Sequence, residues 1–102
     1  MRQRSRRPGT LTPEVAEEIG HKALLFLVED AGRLGRFLTE SGLEPAELRQ
    51  KAGTPAMLAA VLGHLLDDES MLLVFTTTAS VDPADVHFAR VALGGGSPWD
   101  IA

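Results

Sequence analysis

The chain has 102 residues, is 44% hydrophobic and contains no cysteine. That is one domain's worth of sequence with apolar content enough for a core, which excludes an intrinsically disordered chain and a disulfide-stapled one. The net charge is −4, and setting aside the four positive charges of Arg2, Arg4, Arg6 and Arg7 makes it −8, so an acidic body carries a short basic arm and a broad nucleic-acid face is disfavoured.

Residues 1–11 read as a disordered basic arm. The following stretch, residues 11–22, is acidic and lacks the hydrophobic region of a secretion signal. No apolar run reaches the ~18 residues needed to cross a bilayer. Residues 12–94 then read as a single helical domain. Thr12-Pro13-Glu14 opens the first helix with a hydroxyl cap, a proline at the first helical position and an acid near the positive helix end. Val15, Ile19, Ala23 and Leu27 follow at four-residue spacing, with Leu24 one residue on. Asp30 suits the cap of a short second helix carrying Leu34, Phe37 and Leu38. Gly42 can take the left-handed conformation that ends it. Pro45 starts a third helix with Leu48 and Ala52, and Gly53 stops it.

The same devices then recur. Thr54-Pro55 opens a helix with Met57, Val61, Leu62 and Leu65. Asp68 caps the next, and Asp82-Pro83 starts the last. Residues 71–78, rich in β-branched side chains, would pass alone for a strand. A lone strand has no sheet to join, so helix is the reading. Residues 95–102 read as an irregular tail holding Trp99.

A shift of 38 residues lays 16–53 on 54–91. Leu24, Leu27, Asp30, Leu34, Phe37, Pro45 and Ala46 then meet Leu62, Leu65, Asp68, Leu72, Phe75, Pro83 and Ala84 without a gap. The fold class expected is all-α: a compact bundle of about six short helices in two tandem three-helix repeats. The two Thr-Pro starts are further apart than the repeat, so the first helix should be about one turn longer than its counterpart. Face-to-face pairing about a pseudo-twofold axis would put Phe37 and Phe75 in equivalent buried places. Residues 71–79 would be the central helix, with the first copy outside. Around Met71, Leu73 and Val74 that helix is apolar on all sides, which suits a core or an interface, with core burial favoured.

At Leu34-Gly35-Arg36-Phe37-Leu38, Gly42-Leu43-x-Pro45 and Leu62 to Phe75 the chain resembles an uncharacterised family of small alphaproteobacterial proteins, a domain of unknown function. The similarity covers roughly Glu14 to Gly95. It implies a helical fold and a bacterial cytoplasm, and no catalytic residue, cofactor or partner. Where this chain has Gly63-His64, such proteins more often have an acid and an aromatic.

No catalytic constellation stands out. His21, His64 and His87 have neither metal-ligand spacing nor repeat partners, and ordinary surface or boundary roles suit them. The acids Glu29-Asp30 and Asp67-Asp68-Glu69 lie at equivalent helix junctions, where capping explains them. Thr76, Thr77, Thr78 and Ser80 lack the context of an activated nucleophile. Gly94-Gly95-Gly96 follows a helix instead of opening one, so it is no phosphate loop. Neither a metal nor a cofactor is expected. The function expected is a non-enzymatic interaction or self-associating module in the cytoplasm. Its candidate surface is Met71, Leu73, Val74 and Trp99, its partner another protein or a second copy. The alternative is weak nucleic-acid binding, with Arg2, Arg4, Arg6 and Arg7 as phosphate contacts helped by Arg33, Arg36 and Arg49. The acids Glu44 and Glu47, at the start of the helix a DNA reader would insert, argue against it.

Overall fold

The computed structural model describes residues 11–94. Six helices fill that span: α1 (Pro13–Val28), α2 (Ala31–Ser41), α3 (Pro45–Lys51), α4 (Pro55–Leu66), α5 (Glu69–Ala79) and α6 (Pro83–Ala92). None is long and apolar enough to cross a membrane.

The caps explain the boundaries. Thr12 and Thr54 each accept a hydrogen bond from a backbone N–H three residues on, at 3.2 Å, and each is followed by proline. Asp30 and Asp68 do the same for α2 and α5 at 3.1 Å. At α3 the side chain of Glu44 takes the cap position and Glu47 accepts from the Glu44 N–H, a reciprocal capping box. Each device satisfies donors that the first helical turn leaves open. α1 has 16 residues and α4 has 12, a difference of about one turn. The exits of α2 and α5 also correspond. Gly42 and Ser80 both adopt the left-handed conformation, with φ of 74° and 58°. Glycine adopts it freely, whereas a β-carbon makes it costly at Ser80.

The centre of the molecule is not the helix expected there. α1, α4 and α6 pack most extensively on one another and supply Ala16, Ala23, Leu27, Leu58, Leu65 and Val86 to an apolar core. α5 lies outside. It buries Phe75 and Thr76 and leaves Leu73 and Val74 exposed. The reason is that α5 is inserted by the same face as α2, which buries Phe37. The extra apolar residues of α5 fall on the outer side of a helix whose inner side was already sufficient.

The face-to-face pairing is also uneven. α6 packs on both α1 and α4, whereas α3 touches the other helices lightly. At the 38-residue spacing Lys51 of α3 corresponds to buried Ala89 of α6. A lysine cannot enter the core unpaired, so α3 cannot occupy the groove that α6 fills.

α1 and α4 meet at Gly20. A β-carbon there would stand 2.9 Å from Leu58 Cβ, an atom bonded directly to the backbone that no side-chain rotation can move away. Gly20→Ala should therefore destabilise the fold by about 1–2 kcal/mol, the overpacking cost exceeding the gain in helix propensity. Gly35→Ala on α2, with nothing within 4 Å, should stabilise by up to ~1 kcal/mol. Urea unfolding midpoints of the two variants should move in opposite directions. By the same measurement Ser80→Gly should raise the midpoint, by about 1 kcal/mol in stability, because it removes the left-handed penalty.

Candidate functional site

Two places in the fold gather unusual side chains. The first lies where α2, α4 and α5 converge. Asp68 caps α5 and lies within reach of Arg36 on α2. Arg36 bridges the elements: its Nε is 3.1 Å from Glu40 Oε2 and its Nη1 is 3.3 Å from Asp68 Oδ2. The hydrogen bond to Glu40, then the charges of Glu40 and Asp68, raise the Arg36 pKa above its ordinary value. Glu40 Oε1 in turn lies 3.4 Å from His64 Nδ1. The His64 side chain is only 8% exposed and its Nε2 has no hydrogen-bond partner among the described residues. The ring meets Phe37 edge-on at 5.2 Å. Beside it lies a cavity of about 460 Å³, lined in part by Phe37, Glu40, Ala59, Gly63, His64 and Arg90.

An imidazole oriented by a carboxylate is half of an acid–base device. The hydroxyl that also lines this cavity, Ser41, donates to the Phe37 carbonyl at 2.6 Å and is held against its own helix. Among the described residues no three His, Asp or Glu side chains converge as a metal site requires. His21 and His87 are exposed and stand apart from His64, on α1 and α6.

The second place is the cleft between α1 and α5, about 240 Å³ in volume. Phe26 and Phe75 form its floor, ring to ring at 5.4 Å. Leu25 flanks it on α1, between Lys22 and Glu29, while Thr78 and Ala79 line the α5 side. Leu25 is 57% exposed, Val28 50%, Leu73 52% and Val74 49%. Val74 precedes Thr78 by one turn on the same strip of α5.

Of the residues anticipated for an interaction surface, Leu73 and Val74 are on the surface, and Met71 is half-buried against the core. Trp99, Arg2, Arg4, Arg6 and Arg7 lie outside the described residues. Leu25 and Val28 were not anticipated. The signal was present: residues 23–28 are six consecutive apolar positions, and a helix turning 100° per residue cannot bury all six on one face.

The arginines proposed to help contact phosphates are differently placed. Arg33 stacks over the Phe26 ring at 3.8 Å and its Nη1 donates to the Phe26 carbonyl at 3.0 Å. Arg36 is engaged with Glu40 and Asp68. Arg49 is exposed on α3.

Residues 13–96 match a family described as "Protein of unknown function (DUF3572)", and the chain belongs to that family. No curated protein and no solved structure matches it.

The His64 geometry yields a test. Phenylalanine at position 64 keeps the edge contact with Phe37 and removes a buried nitrogen without a partner, a group that costs about 1–3 kcal/mol. The pairing it gives up is with half-exposed Glu40 and is worth little. His64→Phe should therefore stabilise the protein by about 1 kcal/mol, read as a raised urea midpoint. A lowered midpoint would mean that the imidazole makes a bond its surroundings do not account for.

Proposed function

We propose that this family member is a non-enzymatic interaction module that binds a protein through the exposed apolar side chains of α1 and α5. The observation that carries the reading is their placement on two neighbouring helices. Of the five large apolar side chains exposed among the described residues, Leu25, Val28, Leu73 and Val74 sit on two helices that touch, and Val91 alone is elsewhere. Single exposed apolar residues are ordinary on soluble proteins, whereas several on two helices that meet at an apolar cleft, one of them lining it, mark a contact surface. The cleft supplies what such a surface needs at its centre: an aromatic floor with charged residues at the rim. The bacterial cytoplasm is the proposed setting, supported by the absence of cysteine and by the resemblance to alphaproteobacterial proteins.

The test is photo-crosslinking in bacterial cells that make the protein. A photoreactive residue replaces Leu25 or Leu73 on the proposed face, or Gln50 on exposed α3 as control. Positions 25 and 73 should give discrete protein adducts, of a second copy or of another protein, and position 50 should not. Adducts of equal yield at all three positions, or none at any, would remove the reading.

A further inference from the structure

We infer that the occupant of the α1–α5 cleft is the α1 helix of a second copy of this chain, running antiparallel about a twofold axis that passes between Leu25 and Phe26. The inference rests on the docking reading above and names its partner. It comes from the order of residues along the cleft wall of α1: Lys22, Leu25, Phe26, Glu29. Lys22 lies three positions before Leu25, and Glu29 lies three positions after Phe26. A twofold axis between Leu25 and Phe26 therefore sets Lys22 opposite Glu29 of the second copy, and Glu29 opposite Lys22 of the second copy. The same operation sets Leu25 opposite Phe26 of the second copy, over the aromatic floor that Phe26 and Phe75 make. A twofold contact uses one patch twice, so the patch must be complementary to itself. This one is, in charge and in shape: an exposed leucine as knob, a cleft of about 240 Å³ as hole, and opposite charges at equal distances from the axis.

The parallel orientation fails on the same residues. It would set Lys22 against Lys22 and Glu29 against Glu29, and like charges across an interface repel. Lys22 is free to change partner. It now faces Glu18 at 3.7 Å, with both side chains well exposed, and an exposed pair of that spacing holds its partners only weakly.

Sedimentation velocity of the purified full chain tests the inference. The chain should dimerise, with a Kd in the range of about 10–100 µM because the apolar contact is at the small end of specific interfaces. Lys22→Glu and Glu29→Lys should each weaken the dimer by roughly tenfold or more, since every substitution acts twice across a twofold. The double variant K22E/E29K restores opposite charges at both contacts and should recover most of the affinity. Both substitutions are at exposed positions, and an unchanged helical circular dichroism spectrum checks that the three variants fold. A wild-type chain that stays monomeric up to about 500 µM, well above what a weak specific interface requires, overturns the inference. So does a dimer that the single reversals leave intact, or one that the double variant fails to recover. The docking reading is judged separately. A monomeric chain whose position-25 and position-73 crosslinkers trap a different protein overturns the second copy as occupant and leaves the face in place. A monomeric chain without face-specific adducts removes both.

Discussion

The structure depends on how closely α1 can approach α4. Gly20 and Leu58 meet at that crossing, and the space for one β-carbon is missing. Because the approach is so close, the two helices form a tight pair with a groove along it, and α6 fills the groove with Val86 and Ala89. Everything else is applied to this three-helix centre from outside. α2 leans on α1 with Arg33 over Phe26 and sets Phe37 against His64 of α4, and α5 leans on α4 and α1 with Phe75 against Phe26. A wider separation at Gly20 would open the groove and leave the small side chain of Ala89 without contact. Loss of close packing costs free energy even where no polar group is exposed.

Much of this architecture is written locally and is therefore legible in the sequence. A Thr-Pro or Asp cap acts through a hydrogen bond three residues away, and a left-handed exit through one residue's φ. Neither needs the rest of the chain to be known. For this reason the six helices, their order and the extra turn of α1 follow from the sequence. The packing order does not, because it turns on pairs of residues far apart. Lys51 and Ala89 occupy corresponding positions, and the difference between an ammonium group and a methyl group decides which short helix enters the groove. That contrast is visible only when the two helices compete for the same place.

The candidate surface shows the same limit from the other side. The apolar run at residues 23–28 and the apolar character of residues 71–74 both look like core. A helix so uniformly apolar does not reveal which side faces inward. Each of these helices buries the side that reaches the neighbouring core residues and leaves the remainder outside. The surplus is thus Leu25 and Val28 on one helix and Leu73 and Val74 on the other. His64 was misleading in the opposite direction. A polar residue without a recognisable partner suggests the surface, yet its ring fills an aromatic place beside Phe37 and leaves one nitrogen unmatched.

An exposed leucine and valine cost a monomer little, since much of any protein surface is apolar. The cost becomes informative here through its neighbours. Burying a leucine side chain fully is worth roughly 1.5–3 kcal/mol. That gain is non-directional and would favour any apolar partner equally. Lys22 and Glu29 supply what the apolar contact lacks, an orientation and a preference. Charges at the rim of an interface steer and select more than they bind. The body of this chain is acidic, so two copies repel at long range. Association then requires opposite charges brought together locally at the cleft, where separation is shorter than the screening length and the attraction exceeds the average repulsion. A lysine and a glutamate placed evenly about the point between Leu25 and Phe26 meet that requirement in one register.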